Sequence, residues 1–163
     1  MDKKQCILNY AQKQTPKDLS KLGFSIIKTD EQFQKAYAMH DVATTYVVQK
    51  YLQEKYSIHP LGVDLRKHEV IIEEELPDYI AEKKGDIFCY DAKANSSLEY
   101  FGWVNERAIV SYRKLAEACK VPVYLVFVQV ESGNVKCDAH CNTQDEPLRK
   151  TQAWNGNVVW IFH

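Results

Sequence analysis

The stretch Pro77-Asp78-Tyr79-Ile80-Ala81-Glu82-Lys83-Lys84-Gly85-Asp86-Ile87-Phe88-Cys89-Tyr90-Asp91-Ala92-Lys93 decides how this chain is read. Two runs rich in β-branched and aromatic residues, Tyr79 to Ala81 and Ile87 to Lys93, flank the polar cluster Glu82-Lys83-Lys84-Gly85, which predicts a β-hairpin. A four-residue loop, a length commonly built on a type I turn, pairs Ala81 with Asp86 and Asp78 with Cys89. Alternate strand residues share a face, so Asp91 and Lys93 point the same way, about 6.6 Å apart along the strand. Cys89 has their parity, and Asp78 therefore joins them. A two- or four-residue loop preserves this arrangement, whereas three or five residues break it. Asp86 differs from Asp91 by an odd number and falls on the opposite face.

Downstream, Asn95-Ser96-Ser97-Leu98-Glu99 places Ser96 and Glu99 at capping-box spacing, the signature of a helix start. Ala108, Ile109, Tyr112, Leu115, Ala116 and Cys119 supply the apolar stripe of that helix, which ends near Lys120. Pro122 to Val128 is almost unbroken apolar sequence, as expected of a strand covered on both faces. Strand, helix and buried strand make a parallel crossover unit, almost always right-handed. Upstream, Glu69 to Leu76 predicts a further strand, ended or turned at Pro77. From Asp30 to about Tyr56 the pattern is helical. At about 100° per residue from Tyr37, the residues Phe33, Ala36, Ala43, Val47, Val48, Tyr51 and Leu52 fall on one broad arc. Asp41, at about 40°, sits between Val48 and Leu52, and His40, at about 300°, also lies inside the arc. A carboxylate facing a core has to be protonated, paired or metal-bound. A metal shared with Asp78 and Asp91, or a buried pair with Lys93, satisfies Asp41.

The 163 residues read as one domain, 1–163. Residues 1–28 form a lysine-rich extension, a short helix near Gln5 to Gln14 followed by a tether. Residues 131–163 carry turn signals at Ser132-Gly133-Asn134 and Asn155-Gly156-Asn157, each followed by a short strand, with Asn142 to Gln152 as a loop. A hydrophobic fraction of 45% against 26% charged excludes disorder, collagen and coiled coil. No apolar run is long enough to span a bilayer and the first residues are polar, so neither membrane span nor export signal is expected, and the protein is placed in the cytoplasm. Five cysteines, an odd number, argue for reduced thiols rather than a disulfide framework. The formal charge of −1 removes bulk attraction to nucleic acid. Any DNA partner then needs a compact basic patch, a homodimer presenting two sites, or a second protein that delivers substrate.

A helix with an inward acid, a strand, Pro-Asp, a hairpin, Asp-x-Lys, a capped helix and a buried strand, over about residues 30–130, together resemble the PD-(D/E)xK nuclease superfamily, the fold of many restriction endonucleases and Holliday-junction resolvases. Tyr112 to Phe127 looks like the helix and strand that usually follow the catalytic strand. The resemblance implies an α/β, restriction-endonuclease-like three-layer fold with a mixed central sheet flanked by helices. It implies that Asp78 and Asp91 bind Mg²⁺ or Mn²⁺ with the Ala92 carbonyl as a further ligand. Lys93 then orients or deprotonates the attacking water, and Asp41 is the first-helix acid. The chain departs from the family in having Asp rather than the frequent Glu on that helix, and Asn105 and Arg107 where Gln or Lys is common. The chemistry also follows from the residue types. Phosphodiester hydrolysis needs a charge clamp and an activated water, which a carboxylate-held divalent metal supplies, and oxygen ligands favour Mg²⁺ or Mn²⁺ over Zn²⁺. The expected function is a Mg²⁺-dependent endodeoxyribonuclease. The alternative is a nuclease-like fold that no longer cuts and serves as a nucleic-acid or protein binding module.

Other features have plainer readings. Cys137-Asp138-Ala139-His140-Cys141 looks like a zinc half-site, which would make the chain a zinc-stabilised interaction domain. As a strand it faces its cysteines inward and His140 outward, with Cys137 and Cys141 about 13 Å apart. Tyr100, Phe101 and Trp103 either stack on bases or pack helix to sheet. Lys83-Lys84 and Arg113-Lys114 are phosphate contacts or solvated surface, and in Glu73-Glu74-Glu75 at least one carboxylate is exposed while Glu75 borders the metal site.

Overall fold

The computed structural model describes residues 2–13, 16–17, 31–62, 71–72, 75–153 and 156–163, of which 16–17, 31–37 and 71–72 by backbone alone. In chain order these form α1 (Lys3–Gln12), β1 (Pro16–Lys17), α2 (Glu31–Val47) continued by a π-helical turn (Val48–Leu52), β2 (Ser57–Pro60) and β3 (Ile71–Ile72). Then come β4 (Tyr79–Lys83), β5 (Asp86–Asn95), a single 3₁₀ turn (Leu98–Tyr100), β6 (Trp103–Asn105), α3 (Glu106–Cys119), β7 (Val123–Glu131), β8 (Asn134–Asn142), β9 (Arg149–Gln152) and β10 (Val158–Ile161).

The central sheet has five strands in the order β2-β4-β5-β7-β8, and only β5 and β7 run parallel, joined through α3. Helices cover both of its faces, so the architecture is the mixed α/β three-layer arrangement expected. Alternation explains why β7 is apolar throughout: Val123, Leu125 and Phe127 join the core with α1 and α3, while Val126, Val128 and Val130 join the core with α2. Ile7 of α1 is fully buried in the first of these cores, so the N-terminal helix is part of the packing. The expected tether falls largely on residues outside those described, as does half of the strand expected over Glu69 to Leu76, of which Ile71–Ile72 form β3. No helix among the described residues is long and apolar enough to cross a membrane.

Three local expectations are corrected. The β4–β5 loop is two residues, not four: Lys83 pairs with Asp86 and Tyr79 with Tyr90. Lys84 and Gly85 both have positive φ, 48° and 86°, the type I′ geometry whose twist matches that of the flanking strands. Lysine at the first of these positions hides the usual Asn-Gly cue. The Ser96–Glu99 box does not start a helix. Ser97 caps the lone 3₁₀ turn, accepting from the Glu99 N–H, and α3 begins only at Glu106 after β6. The supposed loop Asn142 to Gln152 contains β9, which pairs with β10 in a second sheet of order β6-β10-β9. Cys137 and Cys141 lie on the extended strand β8, packed against the α1/α3 core, with exposed His140 on the other face, as the plainer reading expects.

Candidate active site

The site is built where β4 ends. The backbone N–H groups of Leu61 and Gly62 donate to the carbonyls of Asp78 and Pro77, both at 2.8 Å, so the chain after β2 stays alongside Asp78 and Pro77. Only glycine fits at 62, because a Cβ there would lie 2.5 Å from the Leu76 carbonyl oxygen and 2.8 Å from that of Pro77. Continued by one step, the β4–β5 register sets Asp78 opposite Asp91 rather than opposite Cys89. Because β4 has ended, the Ala92 N–H donates instead to Asp78 Oδ2, at 3.0 Å. In an extended strand the N–H and C=O of one residue point to the same edge, so the Ala92 carbonyl also faces the Asp78 side.

His40 comes from α2 and places Nε2 3.0 Å from the same Asp78 oxygen. Burial pushes the Asp78 carboxyl up, but the His40 hydrogen bond and charge, the Ala92 N–H and the Lys93 charge together hold it below the ordinary value. Asp91 is in the opposite position: burial first, and the Asp78 charge second, push its carboxyl up to about 6 against the pull of Lys93 and His40. Lys93 Nζ lies 2.9 Å from Asp91 Oδ2, yet that oxygen is buried and lacks a well-directed hydrogen bond. The Lys93 ammonium also donates to the Tyr112 hydroxyl of α3 at 3.4 Å and lies 5.6 Å from the centre of that ring. Burial works to lower the Lys93 pKa, but the charges of Asp91, Tyr112 and Glu75 outweigh it and hold Lys93 well above the ordinary value. Burial, then the Asp91 charge, likewise raises the Tyr112 phenol. Glu75 borders the site, held by the Ser111 hydroxyl on its N–H at 3.2 Å and by Arg107 on its carboxylate at 2.9 Å.

Of the predicted residues, Asp78, Asp91, Ala92 and Lys93 come together, and Asp41 does not face the core. Its side chain is 63% exposed, against 20% for His40. The reason is the π-helical turn. Leu52 is buried and on a regular helical wheel widens the apolar arc past Asp41, but it lies in a turn closed by i→i+5 hydrogen bonds, where about 100° per residue no longer holds. The α-helical part of the arc is set by Ala43, Thr44 and Val47, and His40 lies within it. Tyr112 was legible only as a core residue, because nothing in a helical stripe reveals where a hydroxyl ends.

Among the described residues no three of His, Cys, Asp or Glu form a complete metal cage. The donor set nevertheless fits Mg²⁺, which binds through one or two carboxylates and retains several waters. Asp91 Oδ2, buried and poorly hydrogen-bonded, is the atom such an ion would satisfy.

No known family model matches the chain, and no curated protein matches it in sequence. Among solved structures it is similar to Hjc, a Holliday junction resolvase from the archaeal hyperthermophile Archaeoglobus fulgidus. The TM-score is 0.49 at 7% identity, over 75% of this chain and 83% of that one.

Proposed function

We propose that this protein is a metal-dependent nuclease that hydrolyses phosphodiester bonds in DNA. The observation that carries the reading is the opposition of two buried carboxylates, Asp78 and Asp91, across the mouth of one hairpin, with the Lys93 ammonium 2.9 Å from the second. The pattern's resemblance to the PD-(D/E)xK superfamily supports it. Asp78, Asp91 and the Ala92 carbonyl would hold Mg²⁺ or Mn²⁺, which when bound offsets phosphoryl charge and acidifies water. His40 and the Ala92 N–H keep Asp78 ionised and oriented. Lys93, with its raised pKa, is cationic at neutral pH, so it orients the attacking water and the scissile phosphate rather than taking a proton. Tyr112 holds the ammonium in place from α3.

A second reading is a fold that binds without cutting. It is favoured by one observation: Asp78 Oδ2 already accepts from Ala92 and contacts His40, and Asp91 already meets Lys93, so the charges compensate one another without an ion. Incubation with supercoiled, linear and branched DNA in Mg²⁺, Mn²⁺ or EDTA separates the two. Cutting that needs metal and is lost in Asp91→Ala and Lys93→Ala supports the nuclease. Cutting that ignores EDTA or both substitutions overturns it, and DNA binding with no cleavage under any metal selects the second reading.

A further inference from the structure

We infer that Cys6 and Cys119 form a reversible disulfide, a thiol switch that staples α1 to α3 when a small disulfide of the glutathione class is present. The switch goes beyond the nuclease reading and stands without it. The two cysteines are 113 residues apart in sequence, yet their Sγ atoms lie 2.7 Å apart. Cys6 Sγ also sits 3.9 Å from the Ala118 carbonyl oxygen, which seats it over the last turn of α3. The placement follows from the way α1 packs: Ile7 is fully buried, and Cys6, Leu8, Tyr10 and Ala11 pack around it against the α3 core. Cys119 completes the buried stripe of α3, and Lys120 after it takes the left-handed region at φ 56°, which ends the helix there. Both sulfurs are thus set by helices packed on each other. Joining them needs rotation of two side chains rather than movement of either helix.

Two features separate this pair from cysteines that only fill space. Cys89, Cys137 and Cys141 face the same core, yet among the described residues none of them has another sulfur within hydrogen-bond distance. The pair is also asymmetric in access: Cys6 is half-buried, whereas Cys119 is buried, and burial, then the Cys6 thiol beside it, pushes the Cys119 thiol up to about 12. Cys6 therefore meets the reagent first. Its thiolate attacks one sulfur of the small disulfide, breaking that bond and forming a mixed disulfide, and the leaving thiolate takes up the proton that Cys6 gave up. Cys119 then loses its proton and attacks the Cys6 sulfur, forming the Cys6–Cys119 bond and releasing a second small thiol. Two protein thiols are oxidised by two electrons, and the small disulfide is reduced to two thiols. The cross-link closes a loop that holds α2, the β4–β5 hairpin and α3, so it restricts the unfolded chain. It also adds a covalent tie to a helix of ten residues that buries only Ile7 completely. In a reducing compartment such a link is transient and reports the redox state.

The test incubates the full chain with oxidised glutathione or with dithiothreitol, alkylates it under denaturing conditions and reads the intact mass. The expected result is five alkylated thiols in dithiothreitol and three after oxidised glutathione, with a peptide that joins Cys6 to Cys119 and recovery of all five on return to dithiothreitol. Oxidation should raise Tm by roughly 10 °C and slow hydrogen exchange at the α1 amides. Cys6→Ser, at a half-buried position, should lose the linked peptide, the Tm rise and the slowed exchange, while Cys137→Ser should keep all three. Five free thiols after oxidised glutathione, a glutathione adduct on Cys6 that Cys119 never displaces, or a disulfide that maps to another pair overturns the inference. So does a mapped Cys6–Cys119 link that leaves Tm and α1 exchange unchanged.

Discussion

Asp91 offers the sharpest test of the site, because it is both buried and beside another carboxylate. Its carboxyl lies at about 6 instead of the ordinary 3.8; at about 1.36 kcal/mol per pH unit this amounts to roughly 3 kcal/mol. The folded protein holds the Asp91 proton more tightly than the unfolded chain does. Its contribution to stability is therefore fully present below about pH 4 and is lost as pH rises through about 6. Asp78 has the opposite sign: its lowered value stabilises the fold above about pH 4 and is lost below it, so the window from pH 4 to 6 belongs to Asp91. Urea unfolding of metal-free protein across pH 4 to 8, wild type against Asp91→Asn, isolates this contribution. The difference in unfolding free energy between the two should shift against the wild type by up to roughly 3 kcal/mol as pH rises through that window. Mg²⁺ should reverse the penalty in the wild type alone, by about 2.7 kcal/mol at a hundred times its Kd. Its affinity should fall about tenfold per pH unit below 6 as the proton competes. A flat difference curve, or equal stabilisation of Asp91→Asn by Mg²⁺, would refute the reasoning.

His40→Ala removes the charge-assisted partner of a buried carboxylate and should cost about 1.5–3 kcal/mol in denaturant unfolding. It should also move acid unfolding to higher pH, because Asp78 then titrates nearer its ordinary value, with His40→Gln restoring part of the loss. Asp41→Asn should change stability by less than about 0.5 kcal/mol and leave cleavage unchanged within assay error, because that side chain is mostly in solvent. Gly62→Ala drives a Cβ into the backbone oxygens of Leu76 and Pro77. It should cost about 1–3 kcal/mol and weaken Mg²⁺ binding measured by calorimetry, since Asp78 moves with Pro77.

Much of the site was legible because strand parity is a property of counting. Composition predicts a four-residue loop and the structure has two, yet both are even, so Asp78, Asp91 and Lys93 stay on one face. The shorter loop only brings Asp78 level with Asp91. The helix acid had no such protection. Neighbouring helical residues differ by about 100°, and a π turn four residues after Thr44 was enough to make Asp41 look inward where His40 is the residue that meets Asp78. The same asymmetry runs through the C-terminal region. The turn at Ser132-Gly133-Asn134 was evident from its residues, whereas β9, with the polar sequence Arg149-Lys150-Thr151-Gln152, is a strand only because β10 lies beside it.

By itself, then, the amino-acid order determined periods and parities: a hairpin whose acids share a face, an amphipathic α3, and a β7 apolar on both sides. These follow from local backbone geometry, which repeats regardless of what lies across from it. Tertiary structure alone decided the pairings between distant segments: which residue of α2 reaches Asp78, that the Tyr112 hydroxyl ends beside Lys93, and that β6, β10 and β9 make a second sheet. Those depend on how whole elements rotate and dock when their apolar faces are buried together, and no repeat along the chain encodes that.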